Sequence, residues 1–134
     1  MNPWNFGTLE LYSVVAAVIE RDGKFLLTLR PDGTHLAGYW EFPGGKCHPR
    51  ETHTEALGRE LSEELGIVAV VHDHVFSVTH EYPEKVIELH FYRCSFEGTP
   101  QPMLGQQMQW VAREDLRGFR FPAADAKMIE MLVS

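Results

Sequence analysis

Three glutamates stand at helical spacing near the middle of the chain, in the segment Arg59-Glu60-Leu61-Ser62-Glu63-Glu64. In a helix that turns by about 100° per residue, Glu60, Glu63 and Glu64 share an arc of roughly 100° on one face. Like charges this close destabilise an isolated helix. A hard divalent cation relieves that repulsion, because Mg²⁺ binds oxygen ligands and accepts one or two carboxylates together with substrate phosphates. The spacing therefore predicts a carboxylate site for Mg²⁺, with Mn²⁺ as a substitute ion.

The sequence also marks both ends of this helix and its buried side. Thr52 and Glu55 form the Thr-x-x-Glu pattern of a capping box, and Gly66 is a suitable residue to end the helix just past Leu65. A second face carries leucines spaced four residues apart: Leu57, Leu61 and Leu65. That face is expected to pack against a core, which leaves the acidic face available. An ordinary solvated acidic face is the alternative, and the Gly-Gly turn and Arg59 in front of it count against that alternative.

The elements around this helix alternate between strands and helices, without repeats or linkers. Strands are predicted over residues 13–20, 24–30, 68–74, 76–81, 86–96 and 109–112. A hairpin turn is predicted at 21–23, and a terminal helix is predicted from Pro122, a favourable first helical residue, to about Val133. This pattern indicates an α/β or α+β fold with a mixed sheet between helices.

Length, charge and cysteine content limit the classes of function. A chain of 134 residues predicts one domain, residues 1–134, with a single core. Its net charge of −7 argues against a long nucleic acid as partner, because an acidic surface repels phosphate backbones. The first twelve residues show no signal or membrane-span pattern, and Cys47 and Cys94 lack metal-binding spacing. A cytoplasmic protein with no membrane contact, monomeric or homodimeric, is expected.

Residues 45–67, with the sequence GKCHPRETHTEALGRELSEELGI, resemble the signature of the Nudix hydrolases at every defined position, and this segment is named the Nudix box below. Four further stretches resemble the MutT-like and CTP-pyrophosphohydrolase-like branch of that family: WEFPGGK at 40–46, HEYP at 80–83, WV at 110–111 and FPAAD at 121–125. The likeness extends from about residue 14 to 132. It implies the Nudix α/β/α sandwich, with a mixed β-sheet between helices.

The resemblance also implies roles for the acidic helix and for the turn before it. It makes Glu60 and Glu64 the main metal ligands, and Glu63 a further ligand or the base that organises the attacking water. The backbone carbonyl of Gly44 is implied to help bind the metal, and Lys46 is implied to lie near the phosphates. Four residues are expected to support the geometry of the loop and helix: Gly45, Glu51, Arg59 and Gly66.

One position departs from the MutT-like pattern. Relatives usually carry a further glutamate six residues before the tryptophan that corresponds to Trp110, and here that position is Leu104. Gln106 fits a neighbouring glutamine of the family, but residues 98–109 contain no carboxylate. The departure leaves open the number of metal ions and the identity of the general base, and weaker activity than in typical relatives is consistent with it.

The residues that would recognise the base follow from the same resemblance. By position, Arg30, Tyr82, Lys85 and Asp125 match the places where MutT-like enzymes meet the nucleoside, and Tyr82 is placed to stack on a base. Asp125 stands where enzymes that read oxidised guanine carry Asn and where CTP-type relatives carry Asp. An ionised Asp only accepts hydrogen bonds, which suits the exocyclic amine of cytosine, whereas a buried, protonated Asp also donates. If Asp125 is ionised, its replacement by Asn is expected to shift the base preference.

Taken with these features, the resemblance implies a Mg²⁺-dependent nucleoside triphosphate pyrophosphohydrolase that acts on oxidised, modified or surplus (d)NTPs, such as 8-oxo-dGTP, CTP or dCTP, and yields NMP and pyrophosphate. Alternatives within the family are hydrolysis of ADP-ribose, of a dinucleoside polyphosphate or of an RNA 5′ end. Pro83, sixteen residues past the Nudix box, does not decide between them. A non-catalytic nucleotide-binding module is disfavoured because every carboxylate of the box is present, and a structural protein would leave the acidic array unexplained.

Overall fold

The computed structural model describes residues 10–34 and 36–134. Residues 1–9, which begin the predicted domain and fall in the segment expected to lack a signal or membrane span, lie outside the described residues. So does His35. None of the helices in the described part of the chain is long and apolar enough to cross a membrane.

Within these residues the chain forms eight strands, two α-helices and two short 3-10 helices. In chain order, the strands and α-helices are β1 (Glu10–Val18), β2 (Glu20–Arg21), β3 (Lys24–Leu29), β4 (Trp40–Glu41), β5 (Gly44–Lys46), α1 (His53–Leu65), β6 (Val68–Tyr82), β7 (Lys85–Glu97), β8 (Met108–Ala112) and α2 (Ala126–Val133). The 3-10 helices cover Arg113–Gly118 and Ala123–Asp125.

The strands form two sheets, and one of them is mixed. In the mixed sheet, in the order β5-β1-β7-β6, β1 is antiparallel to β5 and parallel to β7, while β6 is antiparallel to β7. In the second sheet β3 pairs antiparallel with β2, β4 and β8. The parallel pairing of β1 and β7 bridges a long separation in sequence and brings β1 beside the hairpin of β6 and β7.

Strand β1 determines which helix packs on which face of the mixed sheet, because successive side chains of a strand point to opposite faces. Val15 and Ala17 pack in one buried cluster with the leucines of α1, whereas Ala16 and Val18 pack in another with the apolar side of α2. The two helices therefore cover opposite faces. The predicted α/β/α arrangement, with a mixed sheet between helices, is confirmed.

The structure differs from the expected elements where the sequence pattern is interrupted. The strands predicted at 68–74 and 76–81 are one strand, β6, whose register with β7 shifts between Val71 and His74 and between His74 and Phe76. Such bulges break the alternation by which a strand is recognised. The helix expected from Pro122 begins as the 3-10 turn Ala123–Asp125, and α2 starts only at Ala126. The hairpin turn predicted at 21–23 forms, with Asp22 and Gly23 both at positive φ.

Candidate active site

Helix α1 begins and ends as its capping residues predict. Thr52 Oγ1 accepts from the Glu55 N–H at 3.1 Å, and the Glu55 carboxylate accepts from the Thr52 N–H at 2.9 Å, which completes the capping box. Gly66 adopts the left-handed conformation (φ 67°), and its N–H donates to the Ser62 carbonyl. The three leucines of the second face are fully buried. The acidic face is therefore held at a constant orientation relative to the core.

Arg59 connects the loop before α1 to this acidic face. Its Nε and Nη2 donate to the two carboxylate oxygens of Glu51 at 2.7 and 3.0 Å, and Nη2 also donates to the Lys46 carbonyl at 2.9 Å. Its Nη1 donates to Glu60 at 2.9 Å. The hydrogen bonds from Arg59 are the main cause that lowers the pKa of Glu51 to about 2. This geometry supports the structural role predicted for Glu51 and Arg59.

Glu60 lies between Arg59 and the Gly-Gly turn. Its side chain is only 15% exposed, and burial raises the pKa of the carboxyl group although Arg59 opposes the change. A Cβ atom on Gly45 would lie 2.5 Å from the carboxyl carbon of Glu60. Any side chain at position 45 would therefore displace this carboxylate, which explains the need for glycine there.

Glu64 is joined to the same turn through the backbone. The Gly44 N–H donates to Glu64 Oε2 at 3.2 Å, and a Cβ on Gly44 would lie 1.9 Å from the Val15 carbonyl oxygen. Burial, followed by the negative charges of Glu41 and Glu60, raises the pKa of Glu64 to about 8. A cation bound next to Glu60 and Glu64 would favour their ionised forms.

Glu63, the third glutamate of the acidic face, is placed differently. Its side chain is 58% exposed, and its carboxylate lies 3.4 Å from Arg59 Nη1. Across residues 10–34 and 36–134, no three Asp, Glu, His or Cys side chains converge as a ready set of metal ligands. Mg²⁺ requires only one or two carboxylates when substrate phosphates and water supply the rest, so the pair Glu60 and Glu64 meets its needs. A ligand or base role for Glu63 stays a prediction.

A cavity of about 350 Å³ opens beside Glu60 and Glu64. Its lining includes residues of β1, β4, β5, α1 and β7, together with the 3-10 turn before α2. Nine residues predicted from the sequence lie in its wall: Arg30, Gly44, Gly45, Lys46, Glu60, Glu64, Tyr82, Lys85 and Asp125. The fold thus brings the metal-side and the base-side candidates, which are far apart in sequence, to one place.

Glu41 is a lining residue that the sequence reasoning missed. Its Oε2 accepts from Arg30 Nη1 at 2.8 Å on strand β4. Burial raises the pKa of Glu41 more than Arg30 lowers it, and the charge of Glu41 acts on both Glu64 and Asp125. One signal could have identified it: a carboxylate placed between two large apolar residues, Trp40 and Phe42.

Asp125 lies deep in the wall of the cavity, with 5% of its surface exposed. Burial, followed by the charge of Glu41, raises the pKa of Asp125 to about 8, although Arg30 acts in the opposite direction. At neutral pH its carboxyl group is therefore mainly protonated, so it donates as well as accepts. The structure favours the protonated form over the ionised form that would prefer cytosine alone.

Tyr82, Lys46 and Lys85 complete the base and phosphate side of the cavity. The Tyr82 hydroxyl is hydrogen-bonded to the backbone of Ala124, within the 3-10 turn that carries Asp125, and burial raises the pKa of this tyrosine. The ammonium groups of Lys46 and Lys85 both lie over the ring of Tyr12. Stacking of a base on Tyr82 stays a prediction.

The loop between β7 and β8 brings Leu104, and no carboxylate, to the cavity. Leu104 is 67% exposed and lines the cavity wall. Gln106 accepts from the Leu104 N–H at 2.9 Å through Oε1 and donates to the Glu64 carbonyl at 2.9 Å through Nε2. The Met103 N–H donates to the same carbonyl at 3.0 Å. The loop is therefore fastened to the C-terminal end of α1.

Known proteins of one family match this sequence over most of its length. The model of the NUDIX domain matches residues 14–131. The chain is 41% identical over 127 residues to the CTP pyrophosphohydrolase of Escherichia coli (strain K12), a match that covers 94% of each chain. It is 39% identical over 127 residues to the 8-oxo-dGTP diphosphatase of Haemophilus influenzae, a match that covers 93% of each chain.

Solved structures agree with these relatives. The solution structure of the E. coli ORF135 protein matches with a TM-score of 0.80 at 42% identity, over 92% of this chain and 89% of that chain. A MutT NUDIX hydrolase from Burkholderia pseudomallei matches with a TM-score of 0.82 at 28% identity, over 90% of this chain and 97% of that chain. The chain therefore belongs to the Nudix family, as a MutT-like hydrolase of phosphoric anhydride bonds.

Proposed function

We propose that this protein is a Mg²⁺-dependent nucleoside triphosphate pyrophosphohydrolase that converts oxidised, modified or surplus (d)NTPs to NMP and pyrophosphate. The observation that carries the proposal is that one cavity of about 350 Å³ is lined both by two carboxylates of the Nudix box, Glu60 and Glu64, and by the buried carboxyl group of Asp125. Its volume lies in the range of small-ligand pockets. Relatives named for CTP and for 8-oxo-dGTP support this class of substrate.

Glu60 and Glu64 are the side chains that would hold the metal ion. Both line the cavity. Burial raises the pKa of each carboxyl group, and the negative charges of Glu41 and Glu60 raise the pKa of Glu64 further, so the site favours binding of a cation. Bound Mg²⁺, or Mn²⁺ in its place, would supply neutralisation of phosphate charge and a water of lowered pKa. The Gly44 carbonyl is proposed as a backbone ligand, and Glu63 as a further ligand or as the base.

The protein's own groups would orient the substrate. Arg59 holds the carboxylate of Glu60 against the Gly-Gly turn, so that this ligand is arranged before the substrate arrives. Lys46 in the cavity wall offers its ammonium group for the phosphate oxygens. We extend this role to Lys85, which the resemblance puts at the nucleoside, because both ammonium groups lie over the ring of Tyr12. Apolar side chains such as Ile87 and Leu89 line the remainder and exclude water.

The base would be read by the group around Asp125. A protonated carboxyl group pairs with the cytosine edge by donating to the ring nitrogen and accepting from the exocyclic amine. It pairs with a guanine-type edge by donating to the carbonyl oxygen and accepting from the ring N–H. Both substrates of the named relatives therefore suit a protonated Asp125, and Arg30 with Glu41 beside it adds further donors and acceptors.

We further propose that residues 1–134 act as one domain, in the cytoplasm, as a monomer or homodimer. Cys47 and Cys94 are free thiols, which fits a reducing compartment. The partner is a free nucleotide, because a net charge of −7 disfavours a long nucleic acid.

A panel of nucleotides with Mg²⁺, resolved by chromatography of the products, tests the proposal. We expect NMP and pyrophosphate from at least one of CTP, dCTP and 8-oxo-dGTP, at a rate well above that for ADP-ribose or a dinucleoside polyphosphate. Faster hydrolysis of one of the latter compounds, with no NMP from any triphosphate, would replace the proposal by another Nudix activity.

A further inference from the structure

Two lysines of the cavity wall share the ring of one tyrosine that no sequence motif identifies. Lys46 Nζ lies 4.0 Å and Lys85 Nζ lies 5.8 Å from the centroid of the Tyr12 ring. Both lysines line the main cavity, whereas Tyr12 lines a second cavity of about 470 Å³ that shares Tyr82 and Lys85 with the first. The ring therefore contacts the two ammonium groups from outside the main cavity.

The backbone register produces this arrangement. Strand β1 lies between β5 and β7, with Val14 opposite Lys46 on one side and Glu10 opposite Lys85 on the other. Tyr12 is two residues from each of these positions, so its side chain shares their face and lies diagonal to both lysines. The pairing of three strands thus places one ring within reach of both lysines.

The two ammonium groups need such a contact because they repel each other. Burial, followed by the positive charges of Lys46 and Arg30, lowers the pKa of Lys85. A cation within about 6 Å of a tyrosine ring is attracted by its π-face, which opposes that repulsion. The Tyr12 hydroxyl donates to the Glu10 carboxylate on the same strand.

We propose that Tyr12 is a positioning residue that keeps Lys46 and Lys85 together as a two-lysine clamp for the phosphate chain of the substrate. The inference rests on the proposed function, in which these lysines meet phosphate oxygens. Without the ring, repulsion separates the ammonium groups and each side chain regains rotamer freedom. Binding of phosphate then weakens, while the chemical step at Glu60 and Glu64 keeps its geometry.

The test measures phosphate binding separately from catalysis. Inorganic tripolyphosphate with Mg²⁺ is titrated calorimetrically into wild type, Tyr12→Ile and Tyr12→Phe, and KM and kcat are measured with dCTP. Isoleucine suits a strand but has no ring. We expect Tyr12→Ile to raise the Kd of tripolyphosphate and the KM by about 3- to 10-fold, with kcat within about two-fold. Phenylalanine keeps the ring and is expected to restore both constants.

Phe96→Leu is the matched control, because Arg21 stacks on that ring at 4.5 Å and Phe96 does not line the cavity. A double-mutant cycle completes the test: in a Lys46→Met/Lys85→Met background, Tyr12→Ile is expected to have no further effect. The inference is overturned if Tyr12→Ile leaves the Kd unchanged, if its effect persists in that background, or if Phe96→Leu weakens binding equally.

Tyr12→Leu, a second ringless variant, replaces Tyr12→Ile if thermal melting shows that the latter is unfolded. Tripolyphosphate binding reports on the clamp whether or not dCTP is a substrate. If Tyr12→Ile weakens tripolyphosphate binding but wild type hydrolyses no triphosphate, the proposed function is refuted and the two-lysine clamp is supported.

Discussion

Glu41, Glu64 and Asp125 come from three separate parts of the chain, yet all three line one cavity, where the charge of Glu41 acts on both of the others. Burial is the first cause that raises the pKa of each of them. Buried acidic groups of this kind destabilise a fold unless a ligand compensates for them, which is why they concentrate at functional sites. Here the compensating ligands would be a metal ion at Glu64 and a nucleobase at Asp125.

Glu64→Gln is expected to lower kcat by about 10²-fold or more and to raise the Mg²⁺ requirement, because a hard anionic ligand is lost. The fold should persist, since the amide oxygen of Gln can still accept from the Gly44 N–H. Turnover as a function of Mg²⁺ concentration, with thermal melting, checks both statements. Glu130→Gln, at an exposed carboxylate of α2 paired with Arg117, is the control. Wild-type turnover of Glu64→Gln at low Mg²⁺ would show that the metal site is elsewhere.

The protonated state of Asp125 changes the outcome expected for Asp125→Asn. Asn reproduces the donor and acceptor of a neutral carboxyl group, so the kcat/KM ratios among CTP, dCTP, dGTP and 8-oxo-dGTP should change little at pH 7. Asp125→Ala should alter those ratios by about ten-fold or more, since one well-made base contact is worth about 1–3 kcal/mol. If Asp125→Asn shifts the ratios as much as Asp125→Ala, the group is ionised in the complex.

The buried carboxyl group of Asp125 is also expected to make the free energy of unfolding depend on pH when no metal is bound. Its folded pKa of about 8 lies above the ordinary value of 3.8, so its contribution is fully present at low pH and is lost as pH rises toward 8. The free energy of unfolding of wild type should fall relative to Asp125→Asn across this window, by at most about 1.4 kcal/mol per pH unit. Urea unfolding from pH 5 to 8 in EDTA measures it, with the exposed Asp115→Asn as control. Parallel curves for wild type and Asp125→Asn would contradict the assignment.

At the scale of elements, the Gly-Gly turn packs so closely against β1 and α1 that neither glycine has room for a Cβ atom. Gly45→Ala is expected to displace the Glu60 carboxylate and to lower kcat by about 10-fold or more, because its Cβ would lie 2.5 Å from that carboxyl carbon. Gly58→Ala, within α1, meets nothing within 4 Å and should raise stability by about 1 kcal/mol with activity retained. Kinetics and melting of the two variants check this contrast. Equal activity in both would mean that Glu60 moves freely.

The elements predicted correctly are those whose signals are local. The capping box at Thr52, the leucine spacing and Gly66 together define α1 to within one residue. The two-residue β4 and three-residue β5 are too short to show a pattern, and the bulges of β6 interrupt its alternation. The 3-10 helix Arg113–Gly118 was missed for the same reason, since single turns have no periodicity.

The site residues that the sequence predicts and those that it misses differ in the same way. Resemblance identified nine cavity residues: seven lie in recognisable stretches of sequence, and Arg30 and Lys85 were assigned by their position relative to those stretches. Glu41 and Tyr12 were missed because their significance depends on neighbours that only the sheet brings close: Arg30 for Glu41, and Lys46 with Lys85 for Tyr12. Such contacts depend on strand register, which a single sequence does not reveal.

At the scale of the whole molecule, the proposed reaction is a nucleophilic attack of water on an internal phosphorus of the triphosphate. In ¹⁸O-labelled water we expect one labelled oxygen in NMP or in pyrophosphate and no orthophosphate among the first products. Mass spectrometry of the quenched reaction locates the label. The control is wild type with EDTA, in which product formation should stop. Orthophosphate and NDP as first products would show cleavage of the β–γ bond and contradict the proposed reaction.

The loop between β7 and β8 is attached to α1 mainly through peptide groups. The Gln101 and Met103 N–H groups donate to the carbonyls of Leu65 and Glu64, while the side chain of Leu104 stays exposed at the cavity. An attachment made by main-chain atoms survives most substitutions, so mutation of an exposed side chain can alter the polarity of the cavity mouth without moving α1. Position 104 is therefore a place where the cavity could change in evolution while the carboxylates of α1 keep their positions.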